Sequence, residues 1–179
     1  MNKNTILIVS GAGDFFFSAN PSRKISKKEE LLETIKTVVG NKAYSAVVNL
    51  TTINDTTDSV NVFKGLRKQS VIDFTLHSDK FLHSNNEMVI TSVDGDDVVR
   101  DGDQFDFLFR PEEYEVHLCG VDLNGTFKSV IEDLLAAGYQ VVVYSDVFRP
   151  FTPTTKLINK INKTTPKFRY CSYKSAFME

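Results

Sequence analysis

The stretch Val116-His-Leu-Cys-Gly-Val-Asp-Leu-Asn-Gly-Thr-Phe-Lys-Ser-Val-Ile-Glu-Asp-Leu-Leu-Ala-Ala-Gly-Tyr-Gln-Val-Val-Val-Tyr-Ser-Asp146 decides the fold class. It reads as strand, tight loop, helix, glycine stop and strand. Val116, Leu118 and Cys119 lead into Gly120. Asn124 or Thr126 can cap a helix, since a side-chain oxygen accepts a first-turn backbone N–H. Phe127, Val130, Ile131, Leu134 and Leu135 then recur at helical spacing. Gly138 stops the helix at a position that favours a left-handed backbone, and Gln140 to Tyr144 is a β-branched strand. Two strands joined by one helix imply a parallel pair with a right-handed crossover. Ligands of such sheets bind beyond the carboxyl ends of the strands, which places a site at the loop from Gly120 to Thr126.

The flanking sequence repeats the alternation. Thr5 to Val9 is a continuous apolar run, as expected of a strand covered on both faces. Ser26 with Glu29 predicts a capping box for a helix from about Lys27 to Val39, stopped by Gly40-Asn41. Tyr44 to Leu50 is a second strand and Met88 to Val93 a third. Val71 to Leu76 reads as a strand or an extended surface segment, and Ser59 to Lys68 as a short helix. Gln104 to Phe109 is ambiguous between helix and strand. Thr155 to Asn162 reads as a helix and Lys167 to Tyr173 as a last short strand. Asp94-Gly-Asp-Asp97 and Asp101-Gly-Asp103 are turn signals. The expectation is an α/β, three-layer Rossmann-like fold with a mostly parallel sheet of five or six strands, in one domain over 1–179.

Composition narrows the function. At 179 residues the chain can bury a sizeable core without staples. A formal net charge of −2 gives no electrostatic ground for binding nucleic acid or an anionic membrane. No apolar run reaches the roughly 18 residues that span a bilayer, and no signal-peptide pattern opens the chain. The expected location is the cytoplasm. Fourteen Phe and no Trp suggest a Phe-rich core or contact surface. Cys119 and Cys171 are too few for a disulfide framework.

Two blocks resemble the isochorismatase-like cysteine hydrolase superfamily, which includes nicotinamidases and isochorismatases. One is Ile6-Leu-Ile-Val-Ser-Gly-Ala-Gly-Asp-Phe15; the other is Gly120-Val-Asp-Leu-Asn-Gly-Thr126 with the following helix, Gly138-Tyr139, strand and Asp146. The resemblance implies a catalytic aspartate, lysine and cysteine. Carried over, the aspartate falls on Ser10, the glutamine that follows it on Ala12 and the cysteine on Thr126. The lysine falls near Thr91 or Ser92. Only Asp14-Phe15 survives from the first block. A threonine hydroxyl needs an adjacent base to act as a nucleophile, and Ser10 is not one. Relatives that bind metal carry an Asp and a His after the second strand, whereas Asn54-Asp55 has no histidine nearby. The implied protein is a catalytically degenerate member without cofactor or metal, acting by binding a protein partner or small ligand. The resemblance also implies a homo-oligomer, and the Lys- and Asn-rich composition fits a phage or mobile-element accessory protein.

Other residues keep alternatives open. A divergent hydrolase of a small amide or ether could use Cys119, Cys171 or Thr126. Cys119 sits in an apolar strand, where an inert thiol is the default, while Arg169 and Lys174 could lower the pKa of Cys171. An anion- or nucleotide-binding module could use Ser10, Gly11, Gly13, Asp14, Phe15, Asn124, Gly125 and Thr126, since helix N-termini attract anions. The loop after Gly13 carries Phe15-Phe-Phe17, which cannot all point inward. His77, Asp79 and His83 lack a third zinc ligand. Asp94, Asp96, Asp97, Asp101, Asp103 and Asp106 lack the EF-hand order and read as an exposed acidic hairpin.

Overall fold

The computed structural model describes residues 3–11, 26–52, 71–91, 97–122, 126–150 and 154–178. They form one eight-stranded sheet with helices on both faces. In chain order the elements are β1 (Asn4–Ser10), α1 (Lys28–Val39), β2 (Tyr44–Thr52), β3 (Val71–Leu76), β4 (Glu87–Thr91) and β5 (Asp97–Asp101). A 3-10 turn (Gly102–Gln104) then leads into the single-turn helix α2 (Phe105–Leu108). β6 (Tyr114–Asp122), α3 (Thr126–Ala136), β7 (Gln140–Pro150), α4 (Thr154–Thr164) and β8 (Phe168–Cys171) follow. The strand order is β5-β4-β3-β2-β1-β6-β7-β8. Strands β3, β2, β1, β6, β7 and β8 are mutually parallel. The hairpin β4–β5 extends that sheet beyond the expected five or six strands, with β4 antiparallel to both neighbours.

The apolar run of β1 divides between two cores because successive side chains point to opposite faces. Ile6 and Ile8 join one cluster with Phe127, Val130, Ile131 and Leu134 of α3 and Ile158 of α4. Leu7 and Val9 join the other with Leu31, Ile35, Val38 and Val39 of α1. Each of these fully buried side chains contributes about 1.5–3 kcal/mol of transfer free energy, so the spacing seen in sequence becomes the force that seats both helix layers. The Phe-rich core is also real. Phe74 stacks on Phe81 at 4.6 Å, and Phe105 meets both edge-on. This settles Gln104 to Phe109 as helical, because one turn carries Phe105 into the core.

The ends of helices show where local signals held. After α3, Gly138 has φ +96. The Tyr139 N–H reaches the Leu134 carbonyl and the Gly138 N–H the Leu135 carbonyl, the Schellman pairing that a left-handed glycine permits. The capping box at Ser26 does not form. Lys27 itself is the N-cap, left-handed at φ 53, with no side-chain cap bond. That turn leaves Ser26 one position outside the helix. The loop 53–70 and the helix expected from 59 to 68 lie outside the described residues.

Candidate ligand-binding site at the carboxyl edge

Strand order reverses at β1, with β2 on one side and β6 on the other. The carboxyl ends of β1 and β6 therefore border the crevice where open parallel sheets bind ligands. Ser10 ends β1 and pairs with Gly120 of β6. The two backbones approach so closely that a Cβ on Gly120 would lie 2.1 Å from the Ser10 carbonyl oxygen, and Gly120 has φ +107. Only glycine fits both demands. Gly11 follows at φ 64. Ser10 is 1% exposed, and its Oγ has no hydrogen-bond partner among the described residues.

Next to this crevice lies a pocket of about 130 Å³ between the end of β3 and the start of α3. Thr126, the first residue of α3, lines it with Ser129 and Val130. Leu76, Ser78, Asp79 and Phe81 form the other wall. That wall is held in place by Asn86, which is 2% exposed. The Asn86 side-chain oxygen accepts the His77 and Ser78 N–H groups at 2.8 and 3.2 Å. Its amide nitrogen donates to the Lys80 and Phe81 carbonyls at 2.6 and 2.8 Å. The Phe81 N–H in turn donates to Asp133 of α3 at 2.6 Å. A polar loop is thereby tied to α3 at Asp133, and the pocket wall offers three hydroxyls and one carboxylate. None of these described lining residues carries a thiol, amine or imidazole.

The two cysteines lie elsewhere. Cys119 pairs in register with Val9 and belongs to the α1-side core, whereas the α3-side residues Ile6 and Ile8 alternate with Ser10. Cys119 is fully buried, and burial, reinforced by the charge of Asp146, pushes its thiol well above the usual range. Cys171 pairs with Tyr144 on β8 and packs on the same α1-side core. Of the lysine positions anticipated near Thr91 or Ser92, Thr91 does not reach this edge. Because β4 is antiparallel, Thr91 pairs with Val71 at the opposite end of β3; the segment that reaches the site from β3 is His77 to Phe81. Ala12, Gly13, Asp14, Phe15, Ser92, Asn124 and Gly125 lie outside the described residues. His77 and His83 are on the loop after β3, where His83 Nδ1 accepts the Asn85 N–H.

A buried polar chain escaped the sequence reading. His117, 1% exposed, joins Glu115 through Nε2 at 2.5 Å and the Tyr144 hydroxyl through Nδ1. Tyr144 joins the Tyr44 hydroxyl at 2.7 Å. His117 Nε2–H donates to Glu115, and the Tyr144 and Tyr44 hydroxyls carry the chain across to β2. Burial raises both phenols. For Glu115, burial pushes upward, but the hydrogen bond and charge of His117, with Arg169 and Lys3, hold the carboxyl below its usual range. The sequence signal was Glu115 and His117 two apart on a strand, hence on one face.

This fold is that of the isochorismatase-like hydrolases. The chain is similar to an isochorismatase-like hydrolase from Alkaliphilus metalliredigens, with TM-score 0.62 and 11% identity over 97% of this chain and 96% of that one. It is similar to the yeast nicotinamidase bound to the inhibitor nicotinaldehyde, at 0.60 and 15% over 94% and 99%. It is also similar to the N-carbamoylsarcosine amidase from Thermoplasma acidophilum, at 0.64 and 10% over 94% and 95%. At these identities the likeness is one of fold. No family profile and no curated protein sequence matches the chain. Among the described residues, no helix is long and apolar enough to cross a membrane.

Proposed function

We propose that this chain uses a hydrolase fold to bind, not to hydrolyse, a small polar ligand at the carboxyl edge of its sheet. The observation that carries the reading is the pair Ser10 and Thr126. Where the resemblance expects an acid, a buried serine hydroxyl stands without a partner among the described residues. Where it expects a thiol, a threonine opens α3 at the pocket. A ligand that donates hydrogen bonds suits the pocket better than an anion, because Asp79 in the wall repels negative charge. The protein would act in the cytoplasm as a homo-oligomer that also engages a protein partner, in keeping with an accessory role in a phage or mobile element.

The test offers nicotinamide and N-carbamoylsarcosine, the substrates implied by the names of the structural relatives, to purified protein. The expected result is no ammonia release. Binding is followed by thermal shift with nicotinamide as the donor-bearing probe and acetate as the anionic one, and T126V should abolish any stabilisation. Turnover that disappears in T126V or in C171S refutes the reading and restores the hydrolase. Sedimentation of the intact protein tests the oligomer, and a monomer at micromolar concentration removes that part of the proposal.

A further inference from the structure

The sheet ends at β5, which pairs with β4 on one side and, among the described residues, with no strand on the other. An open edge is a row of backbone donors and acceptors ready for a further strand. Alternation assigns the side chains of β5 to two faces. Met88 and Ile90 of β4 belong to the α3-side core, so Arg100 and Val98, opposite them, share that face. Asp97, Val99 and Asp101 turn to the other face and are exposed, Val99 to 65%. Val98 is also exposed, to 43%. From β3 to β5 the outer face carries the carboxylates Asp73, Glu87, Asp97 and Asp101, and no Lys, Arg or His.

Charge chooses the occupant of this edge. Glu87 and Asp101 stand directly opposite each other, both exposed, and like charges in that relation destabilise a sheet. Among the described residues, neither they nor Asp97 form an ion pair. A cation beside Asp101 relieves the repulsion. A second copy of the chain does the reverse: two β5 strands in full antiparallel register, Val99 on Val99, set each Asp97 against an Asp101. Between the acids, the exposed Val98 and Val99 offer apolar contact where a merely protective edge carries charge. We infer that β5 is a docking edge for an extended basic segment of a partner protein, which adds as a further strand with a Lys or Arg opposite Asp97 and Asp101 and an apolar residue opposite Val99. Strand addition takes its affinity from main-chain hydrogen bonds and its specificity from alternate side chains. The edge is independent of the carboxyl-edge pocket.

The experiment titrates the full-length protein into a fluorescein-labelled peptide with the core Lys-Thr-Val-Thr-Lys, which reads the same in either chain direction. Low ionic strength keeps surface ion pairs unscreened. Saturable anisotropy is expected, with amide exchange slowed from Asp97 to Asp101. The double variant D97N/D101N should weaken binding about tenfold, as the loss of two surface ion pairs implies. D101N alone should raise the thermal midpoint of the free protein while weakening the peptide about threefold; a merely structural role for Asp101 would not move affinity. A peptide of equal charge, Lys-Pro-Pro-Thr-Lys, should not bind, because one of two successive prolines always removes a ladder donor. Nicotinamide, the probe of the carboxyl-edge pocket, should not displace the basic peptide. The inference is overturned by absence of saturable binding, or by equal affinity for the proline peptide, for Glu-Thr-Val-Thr-Glu or in D97N/D101N. Exchange at β5 that slows with protein concentration alone also overturns it, and makes a second copy the occupant. Should the aspartate variants fail to fold, V99S replaces them; it should weaken binding about threefold, and unchanged affinity refutes the docking edge.

Discussion

Replacing Gly120 by alanine tests the geometry on which the carboxyl edge depends. Two separate penalties are built into that position. The backbone is at φ +107, and the new Cβ would lie 2.1 Å from the carbonyl oxygen of Ser10 and 3.0 Å from its nitrogen. A non-glycine residue in such a conformation costs of order 1–3 kcal/mol. The clash is with backbone, so it is relieved only by prying β1 from β6 at the centre of the sheet. Overpacking of this kind adds typically 1–3 kcal/mol, giving about 4 kcal/mol for the sum. Gly138→Ala isolates the first penalty. Its φ is +96, but a Cβ there meets nothing closer than 3.8 Å, so about 2 kcal/mol is expected. Urea unfolding monitored by circular dichroism reads both. With a slope of about 2 kcal/mol/M, the midpoints should fall by about 2 M and 1 M respectively. Equal shifts for the two variants would refute the close approach of β1 and β6, and with it the positioning of Ser10.

Three further outcomes follow from the same contacts. Asn86→Ala removes both anchors of the loop from His77 to Phe81 and strands backbone groups, which should cost about 2–4 kcal/mol; the pocket at Thr126 should become protease-sensitive at that loop first, as limited proteolysis would show. The carboxyl of Glu115 is held below its ordinary value, mainly by His117 once burial has been overcome. Its folded pKa is depressed, so its stability contribution is present above the unfolded value of about 4.3 and lost as pH falls below that. E115Q should flatten the acid limb of a stability-versus-pH curve, and an unchanged slope would contradict the pairing. Cys119, buried with a raised pKa, should resist a thiol reagent at pH 8 in the folded protein while Cys171 reacts; rapid modification of both thiols would place Cys119 outside the core.

The α/β class was legible because it rests on periodicity and punctuation. The continuous apolar run of Thr5 to Val9, the stripe from Phe127 to Leu134 and the stop at Gly138 are local, and each reappears in the fold. Signals that depend on a neighbour were less secure. Ser26 has the right chemistry for a cap, yet the turn at Lys27 moves it out of position. The lysine position was sought after Met88 to Val93 because sequence does not reveal strand direction; the antiparallel pairing of β4 puts Thr91 beside Val71, at the edge opposite the site.

The sequence by itself determined the α/β class, the parallel β6–α3–β7 unit and the residue types at Ser10 and Thr126, since these depend on hydrophobic period, glycine conformation and side-chain chemistry. Tertiary structure alone decided what those residues can meet. Ser10 and Cys119 are separated by the sheet because alternate residues take opposite faces. Glu115, His117, Tyr144 and Tyr44 come together across strands β2, β6 and β7, and a loop clamped by Asn86 completes the pocket at Thr126. Tyr44 and Tyr144 are 100 positions apart and His117 and Tyr144 are 27 apart, so only the pairing of strands fixes their distance.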